Sequence, residues 1–263
     1  MRASLRIIRD GARSGEENMA IDEAILESVS RNSSPPTARF YSWSRPCVSL
    51  GYFQSCASLD FTRIRALGLE IVRRPTGGRA VLHLDEITYS LTLPLPGGKA
   101  GTIRESFKVL NEGVLRGLSR LGVEVFFHAL QGRAQKRSSP LCFAAPAQYE
   151  ILAGGEKILG SAQVRRNGTL LQQCSLPLTV DDALTKELLG GEAPAYEDGL
   201  PRGLRGIVKS LPGKDVIIDS IIDGIRESLA MDASLGAVSD GERAMADELA
   251  RSQYGLDSWT CRR

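Results

Sequence analysis

The chain has 263 residues, 42% of them hydrophobic and 24% charged, with a formal net charge of +2. That is the profile of a soluble globular chain long enough for one large α/β domain or two small ones. So small a charge excludes bulk nucleic-acid binding as its task, and no apolar run reaches the roughly 18 residues of a membrane span.

The N-terminal "MRASLRIIRDGARSGEE" lacks an apolar stretch of signal-peptide length, so the expected location is the cytoplasm. Next, Ser14 and Glu17 have capping-box spacing, and Ile21, Ala24, Ile25 and Val29 recur at helical spacing. After "NSSPPT" breaks the chain, "ARFYSW" and "CVSLGYF" read as short strands. A short helix is expected from Phe61 to Leu67, then strands over "LEIVRR", "RAVLH" and "TYSLTLPL". "GTIRESFKVLNEGVLRGLSRLG" is a helix with Ile103, Phe107, Leu110, Val114 and Leu118 as its apolar stripe. "VEVFF" reads as a buried strand, and a polar loop with Arg133, Lys136 and Arg137 follows it. In "YEILAGGEKILGSAQVRRNGTLLQQCSLPL" the pairs Gly154-Gly155 and Asn167-Gly168 mark hairpin turns. From about Asp181 the chain reads as mainly helical, with Ile217, Ile221, Ile225 and Leu229 on one face. Strands without a regular βαβ rhythm favour a mixed, largely antiparallel α+β architecture over a Rossmann sheet.

Five cysteines, Cys47, Cys56, Cys142, Cys174 and Cys261, have neither paired nor CxxC spacing. This argues against a disulfide framework and against a structural zinc site, and no metal or cofactor is expected. "LPGGKAGT" is not a phosphate loop, because Leu93 and Ala100 stand where glycine and Ser/Thr are required. The segment "VRRPTGGRAVLHLDEITYS" is more informative. A glycine pair between strands lets backbone approach a ligand, and the flanking arginines suit an anion. The plainer reading is a hairpin turn with solvated arginines.

Taken whole, "RRPTGGRAVLHLDEITYS" resembles the signature of the superfamily of biotin and lipoate protein ligases and octanoyltransferases. "RFYSWSRPCVSLGYFQ", "APAQYEILAGGEKILGSAQVRRNGTLLQQCSLPL" and "LDSWTCRR" extend the resemblance over most of the chain. ATP-dependent lipoate ligases carry a third glycine and an Asp followed by Gly-Asn. Here Arg79 replaces that glycine, and Leu84-Asp85-Glu86-Ile87-Thr88 replaces the rest. The segment is therefore similar to octanoyltransferases of the Gram-positive type.

The resemblance implies the biotin/lipoate ligase catalytic-domain fold: a larger mixed sheet, a smaller sheet and flanking helices. It implies one domain over 1–263, with a core of about 33–230 and a helical C-terminal segment of about 214–263. It also implies transfer of octanoyl from acyl carrier protein to a lysine of a lipoyl-domain protein, such as glycine cleavage H protein, through a cysteine thioester. Cys142 stands where those enzymes carry the thioester cysteine, and Lys157 matches the lysine of their K-x-x-G-x-A-Q motif. Arg73, Arg74, Thr76, Gly77, Gly78, Arg79, His83, Gly160, Ser161, Ala162 and Gln163 are the implied substrate contacts, with the acyl chain under the glycine loop and the arginines turned to carrier or solvent.

The chemistry suits this pair. A neighbouring ammonium lowers a thiol's pKa and raises its thiolate fraction. Thioester exchange is nearly balanced and needs no ATP, amide formation is downhill, and neutral Lys157 can then take the incoming amine's proton. Cys174 is the rival nucleophile; alternation in its strand leaves it facing either core or site. His83 reads as site-lining, His128 as structural. Arg133, Lys136 and Arg137 are a solvated loop or a dock for the acidic carrier protein. The alternatives are an ATP-dependent lipoate or octanoate ligase, an amidotransferase between lipoyl domains, and a non-catalytic acyl-binding protein. The chain ends without the extra domain of many such ligases, which weighs against the first.

Overall fold

The structure, a computed structural model, describes residues 4–95, 102–128, 149–189 and 202–262. In chain order it runs β1 (Ser4–Arg13), α1 (Gly15–Ser30), β2 (Thr37–Trp43), β3 (Cys47–Leu50), α2 (Phe61–Ala66), β4 (Glu70–Arg73), β5 (Val81–His83) and β6 (Glu86–Pro94). There follow α3 (Ile103–Arg120), β7 (Val125–Phe127), β8 (Ile151–Ala153), β9 (Glu156–Lys157), β10 (Gly160–Arg166) and β11 (Thr169–Pro177). The last elements are α4 (Asp182–Leu189), α5 (Leu204–Ile207), α6 (Lys214–Ser228), β12 (Asp232–Gly236), α7 (Asp240–Leu249) and α8 (Asp257–Thr260). No helix among the described residues is long and apolar enough to cross a membrane.

A six-stranded sheet, ordered β10-β11-β6-β2-β1-β12, forms the frame. Its β10-β11-β6-β2 stretch is antiparallel, and β1 lies parallel to both β2 and β12. The larger mixed sheet expected from the resemblance is thus present. Two three-stranded sheets stand beside it where one was expected, β4-β3-β5 and β7-β8-β9.

Strand alternation sends two unlike rows of side chains to the two faces of the large sheet. Ile87, Tyr89, Leu91 and Leu93 of β6, with Leu170 and Leu176 of β11, pack against Leu110, Val114 and Leu118 of α3 and Ile217, Ile221 and Ile225 of α6. Burying that many aliphatic side chains, at about 1.5–3 kcal/mol each, is the main stabilisation here. The alternate row is polar yet buried: Arg39, Thr88, Ser90, Thr92, Gln173 and Ser175. α1 covers that row. Its capping box at Ser14 and Glu17 fixes its start, and Asn18, Asp22 and Glu23 are buried along with its apolar residues.

Three sequence expectations change. β4 and β5 are not a hairpin: β3 lies between them, parallel to β4 and antiparallel to β5, so the glycine segment spans a strand instead of turning back on one. β7 is not a buried strand, since Phe126 is 45% exposed. The C-terminal segment is not wholly helical. β12 pairs with β1, although all five of its residues are exposed. Backbone hydrogen bonds to an available edge make this strand, and its side chains do not signal it.

Candidate active site

A pocket opens between the polar face of the large sheet, α1 and the β4-β3-β5 sheet. Its wall is mostly apolar or aromatic, with Met19, Tyr41, Trp43, Val81 and Ala162. Of the expected contacts, Arg74, His83, Gly160, Ser161 and Ala162 line it.

The glycine segment sits beside it. Gly78 has φ +90°, and a Cβ there would lie 2.8 Å from Arg74 Nη2 and 3.7 Å from Ala162 Cβ. Gly51 supports it from below: a Cβ on Gly51 would come within 1.9 Å of Gly78 O. The loop therefore rests on backbone, and only glycine fits at both positions. Gly51→Ala must displace the loop. Because misplacement by about 1 Å costs on the order of 10²-fold in rate, the acyl uptake that the sequence resemblance implies should fall by about that factor, read by intact mass over time. Wild-type uptake by this variant would remove the loop from the site.

Arg73 and Arg74 do not face solvent, whereas Arg79 is half-buried and does not line the pocket. Arg73 is fully buried and does not line the pocket. Its guanidinium donates to the carbonyls of Gly51, Gln54 and Thr260 at 2.7 Å and to Tyr52 O at 3.3 Å. Arg74 donates to Ser49 O and Oγ at 2.9 and 3.0 Å, and to Gly77 O and Arg79 O at 2.8 and 2.7 Å. Both hold the loop's shape. Loop carbonyls bring acceptors that need buried donors, and a guanidinium supplies five. Thr76 is buried and donates to Gln173 Oε1 at 2.8 Å, tying the loop to β11.

His83 is buried, stacked on Trp43 with ring centroids 4.1 Å apart. Its Nδ1 lies 2.7 Å from Glu86 Oε1 and its Nε2 2.7 Å from Ser49 Oγ. A carboxylate only accepts, so Nδ1 carries the proton it gives to Glu86, while Nε2 exchanges a hydrogen bond with Ser49. Glu86 also accepts from Trp43 Nε1 at 3.2 Å, from Ser175 Oγ at 2.6 Å and from Thr88 Oγ1. Burial alone would raise the Glu86 pKa, but His83 beside it and these hydroxyl donors carry it below the usual carboxylate value. A second buried acid, Asp22 on α1, accepts from Arg39, Ser90 and Gln173 at 2.8–2.9 Å and from Tyr41 Oη at 3.1 Å. These hydrogen bonds satisfy the sheet's buried polar row and fix the pocket wall.

The K-x-x-G-x-A-Q strand is split by alternation. Ala162 pairs with Gln173 on the pocket side. Gln163 points the other way, accepting from Ser106 Oγ at 2.9 Å and donating to Gln172 at 2.6 Å, so it does not line the pocket. Asn111 of α3 joins these parts: it receives Ser161 Oγ and Gln172 Nε2 and donates to Tyr149 O at 3.0 Å. Cys174 packs in the apolar core with Leu170 and Leu176 and also lines the pocket, so it borders both. Burial pushes its thiol pKa up, with only partial relief from Tyr89, Gln172 and Ser161, which makes it a poor thiolate. Lys157 sits on β9, paired with β8 across the Gly154-Gly155 turn, and its Nζ lies 2.6 Å from Glu150 Oε1. Lys157 is buried, and Glu150 is mostly so. Cys142, with Arg133, Lys136 and Arg137, lies outside the described residues.

Glu86, Ser49, Trp43, Tyr41, Met19, Asp22 and Asn111 were not expected as site residues. One signal was available: Thr88, Ser90 and Thr92 alternate with Ile87, Tyr89 and Leu91, a polar row on a strand too apolar to lie at the surface.

The family model of the lipoyl protein ligase A/B catalytic domain matches residues 14–230. An octanoyltransferase LipM of Kyrpidia tusciae is 35% identical, the match covering 98% of each chain. One from Carboxydothermus hydrogenoformans is 36% identical over 95% of each. Among solved structures, Ta0514 of T. acidophilum, a putative lipoate protein ligase with bound lipoic acid, is 24% identical, with TM-score 0.79 and full coverage of both chains. A lipoate-protein ligase A bound with ATP gives 0.80 at 24% identity over 99% of each. At that identity these structures establish the fold, which is the one the sequence resemblance implied.

Proposed function

The chain belongs to the lipoyl protein ligase A/B catalytic-domain family and, within it, to the LipM octanoyltransferases; from this premise we propose that it moves octanoyl from acyl carrier protein to a lysine of a lipoyl-domain protein through a thioester on Cys142. The chain is an acyltransferase whose transferred group is octanoyl, in lipoate biosynthesis. The acceptor we propose is a lipoyl-domain protein such as glycine cleavage H protein. The whole chain, 1–263, acts as one catalytic domain in this reading.

The observation that supports the reading is a mostly apolar pocket beside the glycine loop, with the buried Lys157 three residues before the strand that lines it. The acyl chain lies in the pocket along Met19, Tyr41, Trp43 and Ala162, with His83 held at the wall by Glu86. The Cys142 thiolate attacks the carrier's thioester carbonyl and expels the carrier thiol, one thioester replacing another. The acceptor lysine's amine then attacks the new thioester, forming the amide and releasing Cys142. Lys157 favours the thiolate in the first step; when neutral, it accepts the amine's proton in the second. The ATP-dependent ligase is not favoured, because relatives matched over nearly the whole chain are octanoyltransferases.

Incubation with octanoyl-acyl carrier protein, without ATP, should add one octanoyl group by intact mass. The adduct should be released by hydroxylamine and be absent in Cys142→Ala. Full transfer by Cys142→Ala would overturn the thioester, and a requirement for ATP with free octanoate would restore the ligase.

A further inference from the structure

The C-terminal turn folds back on the strand that leads into the glycine loop. Trp259 Nε1 donates to Arg73 O at 3.0 Å, and Arg73 Nε and Nη2 donate in return to Thr260 O at 2.9 and 2.7 Å. Arg65 of α2 pairs with Asp257 at 2.5 Å. The Arg262 guanidinium stacks on Tyr52 and Trp259, 3.8 and 3.7 Å from their ring centroids. These contacts bring together two cysteines 205 positions apart: Cys56 Sγ lies 3.7 Å from the carbonyl oxygen of Cys261. Cys261 is exposed and Cys56 partly so, and neither lines the pocket. Partial burial raises the Cys261 pKa, and the Cys56 thiol beside it raises it further.

We propose that Cys56 and Cys261 form a reversible disulfide under oxidising conditions, fastening the C-terminal turn to the loop that carries Gly51 and so to the base of the glycine loop. No sequence spacing marks the pair; only the docked tail creates it. With a small disulfide as oxidant, one cysteine thiolate attacks its S–S bond, forming a mixed disulfide and releasing one thiolate. The second cysteine thiolate attacks the protein sulfur of that mixed disulfide and releases the other. Two protein thiols are oxidised, and one small disulfide is reduced to two thiols. Reaction needs the thiolate, so the rate rises with pH toward the raised Cys261 pKa. Because the bond closes a loop of 205 residues, it strongly restricts the unfolded chain.

The test treats the full chain with excess oxidised glutathione, quenches with an alkylating agent and digests without reductant. The expected product is a peptide joining Cys56 to Cys261. The melting temperature of the oxidised protein should rise by roughly 5–10 °C, and the rise should vanish on reduction. In Cys56→Ser, where the side chain is partly buried against the core, and Cys261→Ser, at the surface, the joined peptide should be absent and the melting temperature should no longer respond to oxidant. Recovery of Cys56 and Cys261 only as separate alkylated or glutathionylated peptides would overturn the proposal, as would pairing of either with Cys142. The readout is a peptide mass and a melting temperature, so it stands or falls independently of octanoyl transfer.

Discussion

Lys157→Met should lower transfer of octanoyl to a lipoyl domain by roughly 10²–10⁴-fold, the range for loss of a positioned acid–base group. The side chain is buried and its ammonium is 2.6 Å from Glu150, so its position is fixed by structure instead of by a mobile stem. The same variant removes a positive charge that, in the proposed mechanism, stabilises the Cys142 thiolate. Alkylation of Cys142 followed against pH should therefore shift to higher pH, because a thiol without a neighbouring cation ionises later. A purely structural role predicts a different pattern. Losing Lys157 leaves the Glu150 carboxylate without this ion-pair partner, and Lys157→Met/Glu150→Gln removes that penalty as well. The double variant should regain thermal stability and stay inactive. Recovery of transfer along with stability would show that the lysine only holds the fold.

The second large effect is on stability. Glu86→Gln should destabilise the fold by about 3–5 kcal/mol, the usual cost of breaking a buried charge-assisted cluster. The carboxylate accepts from His83, Trp43, Thr88 and Ser175, all among the pocket's lining residues. An amide at this position turns one acceptor into a donor facing donors. The pH dependence carries the same signature. The folded-state pKa of Glu86 is lowered: burial raises it, and His83 with the hydroxyl donors more than offsets that. A depressed carboxylate pKa stabilises the fold above the unfolded value of about 4.3, and this contribution is lost as pH falls through the lower folded pKa. Urea midpoints measured from about pH 6 down to pH 3 should fall more steeply for the native protein than for Glu86→Gln. Asp10, Asp85 and Glu242 also have lowered pKa values and are present in both proteins, so the difference in slope reports Glu86. Equal slopes would mean that the carboxylate is not held ionised by its donors.

Glu86 also changes the meaning of the sequence's main departure from the ligase signature. Asp85-Glu86, read as a mark of transferase character, has two separate roles in the fold. Asp85 lies near the surface, bonded to Lys214 at 2.8 Å and Thr179 at 3.0 Å. Glu86 is buried at the pocket wall and orients His83. Neither role follows from the order of residues, because Lys214, Thr179, Trp43 and Ser175 reach them from other elements.

By itself the sequence determined what depends on neighbours within a few positions. The α1 capping box, the α3 and α6 stripes, the two hairpin turns and the strands β2 to β6 follow from periodicity and turn chemistry. The family also followed, because its motifs are contiguous stretches of chain. Tertiary structure alone decided the rest. It placed β3 between β4 and β5, turned Arg73 and Arg74 inward onto loop carbonyls, sent Gln163 away from the pocket, and set Cys174 where the core meets the pocket. It also made an edge strand of β12 and brought Cys56 to Cys261. For the buried polar groups among these the physical reason is shared. Buried donors and acceptors must find partners, and the partners these residues found come from distant parts of the chain, where no local pattern records them.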